Sequence, residues 1–227
     1  MLKHLPNLLT CLNLLSGCLG VVFLLEGQSV PGAYFVWAAA IFDFFDGFIA
    51  RLLKVNSPIG KELDSLADMV SFGLLPAIVM YLMLRPVATS PLVPYVAFLI
   101  ALCSALRLAI FNVDETQKDS FRGVPTPANA LFITSLPLLN PAAAAWLHQE
   151  WVLLVITLVF SWLLVSRIEL FALKFRSFSW ADNKVRFTFL ALAVLLVAWL
   201  QISALPLIII MYIAVSLGAR VLSGSEL

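Results

Sequence analysis

Phe42-Asp-Phe-Phe-Asp-Gly-Phe-Ile-Ala-Arg51, followed after a short break by Gly60-Lys-Glu-Leu-Asp-Ser-Leu-Ala-Asp68, puts four aspartates into otherwise apolar helices. A carboxylate in hydrocarbon costs at least ~2.5–3.5 kcal/mol on the insertion scale. Four standing alone would cost upwards of ~10 kcal/mol, comparable to the whole stability of a domain. Something must offset that. Asp43 and Asp46, at i and i+3, share one helix face, and Asp64 and Asp68, at i and i+4, share another. The connection at Asn56–Pro58 is short enough for an antiparallel hairpin, with Ser57 capping the second helix and Pro58 at its first position. At about 1.5 Å per residue, the first pair lies about 12–16 Å from the hairpin end and the second about 9–15 Å. Both pairs therefore sit at one depth, in the half of an about 30 Å hydrocarbon core nearest the turn. Four carboxylates converge there.

The hydrocarbon setting follows from the rest of the chain. Of its 227 residues, 62% are hydrophobic and 12% charged, and the mean hydropathy is +1.02. An ordinary soluble domain is nearer half apolar and a quarter charged, so the solvent here is largely lipid. A net charge of +1, with cations scattered through loops, leaves no footprint for a nucleic-acid partner. Cys11, Cys18 and Cys103 lie in apolar stretches without metal-ligand spacing and read as small packing residues. The run from Met1 to Gly27 is too long for a signal peptide and lacks a small-x-small cleavage site, so it is expected to be a retained first span.

Eight segments approach the roughly 20 residues a spanning helix needs: 6–25, 32–54, 58–84, 92–113, 127–147, 150–173, 186–202 and 204–221. The last two share a tight connection near Ser203–Pro206 and are expected to form a tilted hairpin. With the N-terminus in the cytoplasm, one side receives Lys3, Arg51, Lys54, Lys61, Arg107, Lys118 and Arg122. The same side receives Arg167, Lys174, Arg176, Lys184, Arg186 and Arg220, leaving only Arg85 of the fourteen cations outside. The positive-inside rule predicts such a bias, and both termini are expected to be cytoplasmic. The predicted fold is all-α, a polytopic helical bundle forming a single integral-membrane domain over 1–227.

An acidic cluster of this kind needs cations to stay ionised. Two divalent metals would neutralise it, and oxygen ligands suit Mg²⁺ or Mn²⁺. Hard cations with open positions also bind phosphate oxygens, which points to phosphoryl-type transfer. Gly47 and Ala50 fall near the aspartate stripe and Gly60 precedes Asp64 by four, leaving room for a ligand or for close helix packing. Arg51, one turn nearer the cytoplasm, can pair with a phosphate or merely anchor the helix end. Asn7, Thr10 and Asn13 form a stripe that faces a nucleotide or glues helices together. Within the apolar helices, intramembrane carboxylates would also suit a cation transporter, although no inverted repeat is evident.

The spacing Asp43-x₂-Asp46-Gly47-x₂-Ala50-Arg51-x₈-Gly60-x₃-Asp64-x₃-Asp68 resembles the signature of the CDP-alcohol phosphotransferase family at every fixed position and gap. Leu5-Pro-Asn-Leu-Leu-Thr10 with Asn13, Asp64-Ser-Leu-Ala-Asp-Met-Val-Ser-Phe-Gly73 with Pro76, Arg107-Leu-Ala-Ile-Phe-Asn-Val113 and Phe121-Arg-Gly-Val-Pro-Thr-Pro-Ala128 resemble the branch of that family that makes phosphatidylserine. One departure is Ile110, where the branch carries an Arg.

The resemblance implies a homodimeric membrane enzyme with a di-metal site and a six-helix core at about 1–173, extended here by a hairpin at about 186–221. It implies a bacterial cytoplasmic membrane, with the site facing the cytoplasm. The first three aspartates would bind metal, and Asp68 would also take the proton of the acceptor hydroxyl. Gly47, Ala50 and Arg51 would border the CDP moiety of CDP-diacylglycerol, together with Gly60, Asn7 and Thr10. The implied acceptor is L-serine, giving phosphatidylserine and CMP; glycerol phosphate, inositol phosphate and choline are the rival acceptors. For the serine contacts, Arg107, Asn112 and Ser71 are the candidates.

Overall fold

In a computed structural model the described residues are 2–55, 57–114, 121–140, 144–170 and 180–222. Lys118, Lys174 and Arg176 of the charge reading, and Asn56 of the hairpin turn, lie outside them. A short 3₁₀ turn leads into α1 (Leu5–Leu25), and α2 (Ser29–Leu53) follows after Gly27, whose φ of 81° suits a residue without Cβ. Lys54, in the left-handed conformation, ends α2. Ser57 then caps α3 (Pro58–Asp68) as the sequence predicts: its Oγ accepts from the Gly60 amide at 3.3 Å, with Pro58 at the first helical turn.

The helix does not stop at Asp68. A single π-helical turn, Met69–Leu74, carries it into α4 (Leu75–Leu84), giving one 27-residue apolar rod. This rod is the axis of the bundle, and Phe72, Leu75, Met80 and Leu84 along it are fully buried. A 3₁₀ stretch, Val93–Phe98, feeds α5 (Leu99–Val113). Then come α6 (Thr126–Ser135), α7 (Glu150–Val165), α8 (Trp180–Leu200) and α9 (Ala204–Leu222). Phe121–Arg122 pairs antiparallel with Glu169–Leu170, a two-residue ladder that an all-helical reading does not anticipate.

Five stretches among the described residues are long and apolar enough to cross a membrane: Leu5–Leu25, Gly32–Leu53, Pro58–Leu84, Val93–Val113 and Arg186–Gly218. The last is two helices folded back on one another. Gln201 turns the chain with a φ of 51°, and the rings of Phe189 and Tyr212, on opposite sides of that turn, meet at 5.9 Å. The expected segment 127–147 is not a continuous helix. Pro137 has no amide to donate back into α6, so the helix passes into a 3₁₀ turn and leaves it extended at Leu139. The expected segment 150–173 likewise ends its helix at Val165, and α7 is shorter than a full span.

Outward faces carry Leu8, Leu15 and Val22 on α1, Ile41, Phe44 and Phe48 on α2, and Trp151, Val155, Leu158 and Trp162 on α7. Apolar stripes at helical spacing on the outside of a bundle need lipid, not water, as solvent. Cys11 and Cys18 also face outward, so they do not serve as packing residues.

Packing at the site end depends on α1. It lies along α2 and against α3, whereas the backbones of α2 and α3 make little direct contact. Gly20 and Gly32 let α1 and α2 approach backbone to backbone, since a Cβ on either would come within 3.1–3.2 Å of the other's carbonyl oxygen. Gly17 performs the same service against the π turn, where a Cβ would meet the Ser71 Cα at 2.9 Å. Gly17→Ala is therefore expected to destabilise the protein by about 1–3 kcal/mol through overpacking. Thermal unfolding in detergent checks it: Gly17→Ala lowers Tm, while Gly218→Ala, where a Cβ meets open space, does not.

Candidate active site

Asp43 from α2 and Asp64 and Asp68 from α3 bring one carboxylate oxygen each to within 4.8 Å of one another. The i, i+4 spacing stacks Asp64 over Asp68 on the face of α3 that looks at α2. Asp43 and Asp64 come within hydrogen-bonding reach. Two ionised carboxylates do not hold that separation without a cation or a shared proton between them.

Asp46 is turned differently. Thr10 Oγ1 stands 2.6 Å from Asp46 Oδ2 and 3.1 Å from the Pro6 carbonyl, so its single proton goes to the nearer carboxylate. Asp46 remains in electrostatic contact with Asp64 and is 7% exposed. Asp68 is held from α1 as well: Asn13 Nδ2 donates to Asp68 Oδ1 at 3.1 Å, and Ser71 Oγ donates to the Asn13 carbonyl at 2.9 Å.

The donor set fits a divalent metal. It is all oxygen and all acidic, drawn from two helices, and Asp64 Oδ1 is buried without a hydrogen-bond partner. Such an orphan is costly unless a cation fills its lone pairs.

A cavity of about 620 Å³ opens beside the cluster, between the N-terminus of α1 and the α2–α3 turn. Asp46, Asp64, Gly47, Ala50 and Gly60 line it, with Asn7 and Thr10 opposite on α1. The choice between packing and ligand space is decided at Gly47, where a Cβ would meet nothing within 4 Å. Gly60 is tighter, with Asn7 Oδ1 at 3.1 Å from the same test position. Arg51 is exposed at the end of α2 and does not line the cavity.

Lys61 does line it, and its Nζ donates to the Asn112 carbonyl at 2.7 Å. From sequence Lys61 read only as a topological charge; its position four residues after Ser57, one turn into α3, is the signal that was available.

The three residues named for the acceptor go to different places. Ser71 is fully buried in the π turn with its proton given to Asn13. Asn112 donates its side-chain amide to Ser65 Oγ at 2.7 Å, tying α5 to α3. Neither lines a described cavity. Arg107 is 8% exposed, its Nε has no partner, and it interacts electrostatically with Asp68 and Tyr212. It lines a second cavity, of about 440 Å³, between the C-terminal ends of α5 and α7. The Lys61–Asn112 bond sets the end of α5 level with the start of α3, so both cavities lie toward one end of the bundle; Asp46 and Asp64 line the first, and Arg107 of the second interacts with Asp68.

A buried acidic cluster shared by two apolar helices, beside a cavity lined by small residues, is a donor set that could hold a divalent metal next to a bound ligand. The family model for CDP-alcohol phosphatidyltransferase matches residues 3–165, and the chain belongs to that family. A CDP-diacylglycerol–serine O-phosphatidyltransferase of Mycobacterium leprae (strain TN) is 37% identical over 177 residues, 74% of this chain and 58% of that protein. The protein of the same name from Bacillus subtilis (strain 168) is 31% identical over 172 residues, 74% of this chain and 90% of its own length. An archaetidylserine synthase of Methanothermobacter thermautotrophicus is 34% identical over 168 residues, 73% of this chain and 68% of its own. The chain thus spans about three fifths of the mycobacterial relatives it matches.

Asn13 is the site residue whose partner the sequence did not reveal. Its amide fixes one oxygen of Asp68, and outer partners of metal-binding carboxylates are typically worth about 10–100-fold in metal affinity. Asn13→Leu, close in volume, is expected to weaken divalent-cation binding by about that factor, read by Mn²⁺ titration under electron paramagnetic resonance. Unchanged Mn²⁺ affinity would remove Asn13 from the site.

Proposed function

We propose that this chain transfers the phosphatidyl group of CDP-diacylglycerol to the hydroxyl of L-serine, forming phosphatidylserine and CMP. The observation that carries this reading is the convergence of Asp43, Asp64 and Asp68 beside a cavity with open space at Gly47. The names of the relatives support the donor and the acceptor.

In this reading Asp43, Asp46, Asp64 and Asp68 hold two Mg²⁺ or Mn²⁺ ions. When bound, such ions neutralise the pyrophosphate and stabilise the charge that grows on departing CMP. Gly47, Ala50 and Gly60 admit the CDP group against the backbone, with Asn7 and Thr10 on the facing wall. Lys61 offers the pyrophosphate an ammonium at the mouth. Asp68, buried and with Oδ1 held by Asn13, takes the proton from the serine hydroxyl as that oxygen attacks the phosphorus bearing diacylglycerol. The bond from that phosphorus to the bridging oxygen breaks, and CMP leaves with it.

The remaining features belong to the same proposal. A polytopic arrangement with both termini in the cytoplasm and a site at the cytoplasmic leaflet is the reading that the cation distribution supports. A homodimer in a bacterial inner membrane, with the core at about 1–173 and the hairpin as an extension within one domain, follows from the family. Serine is favoured over a phosphorylated acceptor because cations at this end of the chain are few, while Ile110, which lines the second cavity, stands where the branch that makes phosphatidylserine carries an Arg.

Asp68→Asn tests the base. The variant is expected to keep CDP-diacylglycerol binding and to lose CMP release with serine by at least about 10²-fold, the scale of general-base catalysis. CMP release at the wild-type rate would overturn the assignment.

A further inference from the structure

A closed ring of hydrogen bonds joins the end of α5 to the first turns of α3. Lys61 Nζ donates to the Asn112 carbonyl at 2.7 Å, and Asn112 Nδ2 donates to Ser65 Oγ at 2.7 Å. Ser65 Oγ completes the ring by donating to the Lys61 carbonyl at 3.3 Å. Among the described residues the backbones of α3 and α5 make little other contact. α5 packs instead on the π turn, where a Cβ on Gly73 would stand 3.2 Å from the Ser104 Cβ. From Ser104 on to Asn112 is eight residues, and from Gly73 back to Ser65 is also eight, so the two segments run antiparallel and in register up to the ring.

The ring is built on a side chain that also faces the other way. Lys61 lines the cavity beside the carboxylates, and among the described residues it is the one cation that does. Lys61 is exposed, so burial does not hold it. A lysine at a bilayer surface has a long flexible stem, and its ammonium is drawn to the phosphates of anionic lipids. The Asn112 carbonyl opposes that pull. It is among the last carbonyls of α5, which have no amide one turn further on and carry the negative end of the helix dipole. The bond uses one ammonium proton and leaves two for an anion.

We infer that Asn112 and Ser65 are positioning residues for Lys61, keeping its ammonium at the cavity for the diphosphate of the donor. Asn112 acts through its carbonyl. Ser65 acts by fixing the Asn112 side chain, and with it the end of α5. This rests on the transferase reading above and gives the end of α5 a part in donor binding.

Equilibrium binding of CDP-diacylglycerol to the purified full chain, in detergent micelles with Mn²⁺, tests it, with CMP release measured beside it. K61M should raise the donor Kd about 10-fold or more, the scale of one charge-assisted hydrogen bond. S65A and N112A should each raise it at least about 3-fold, as coupling within one hydrogen-bond network does. S65T keeps the hydroxyl and should stay within about 2-fold of wild type. In the K61M background S65A should add nothing, because the group it positions is gone, and the serine KM should hold in every variant. A ring that only fastens helices predicts otherwise: S65A lowers Tm with a wild-type donor Kd, or weakens binding equally with and without Lys61. Either result, or a serine KM that moves as far as the donor Kd, overturns the positioning role. A wild type that binds CDP-diacylglycerol yet releases no CMP with serine overturns the transferase reading, and the binding series then decides the ring by itself. A wild type that does not bind CDP-diacylglycerol overturns both.

Discussion

Negative charge in hydrocarbon is the constraint around which this fold is arranged. Asp43, Asp46, Asp64 and Asp68 lie on helices whose other residues suit lipid, and no bilayer would accept them singly. Three of them converge on one point, and the fourth takes a hydroxyl from α1. Convergence alone makes repulsion worse, so the arrangement is stable only with a cation or a shared proton among the carboxylates. The unpartnered Asp64 oxygen marks where that charge is missing from the protein's own groups.

Holding such a cluster open requires α2 and α3 to face each other without collapsing. α1 does this by packing on both. Its glycines set the distances: Gly20 against Gly32 draws α1 onto α2, and Gly17 against Ser71 draws it onto the π turn. The polar residues between them, Thr10 and Asn13, then reach Asp46 and Asp68. Packing and carboxylate orientation are thus one device. The π turn just after Asp68 belongs to it, because it interrupts the α-helical register immediately beyond the carboxylates and presents Ser71 to the Asn13 carbonyl.

Much of this was legible in the residues. The i, i+3 and i, i+4 spacings and the Ser57 cap with Pro58 follow from local rules, and local rules survive folding, whereas the open space at Gly47 shows only once its neighbours are placed. What depended on long-range contact did not. Asn112 and Ser71 carry polar groups suited to a substrate, yet each spends them on another helix, Ser65 in one case and Asn13 in the other. Composition cannot distinguish a hydrogen bond to a neighbour from one to a ligand. The run at 127–147 was apolar enough for a span, but Pro137 removes a donor the helix needs. Arg167 read from sequence as a topological charge, and its place in the lining of the second cavity depends on α5 packing beside α7.

In the proposed reaction, the burial of Asp68 bears on how a phosphoanhydride donor avoids hydrolysis. Water is the most abundant acceptor at a membrane surface, and a general base open to it would release CMP without product. Asp68 is 8% exposed, with one oxygen held by Asn13, and it interacts electrostatically with Arg107. In the proposed reaction a free water reaching that carboxylate finds no second anchor, whereas an acceptor held by contacts of its own brings its hydroxyl with its orientation already fixed. Orientation of this kind is worth several orders of magnitude in effective concentration. On the proposed reading, then, selectivity against water comes from where the acceptor is held and not from the base itself.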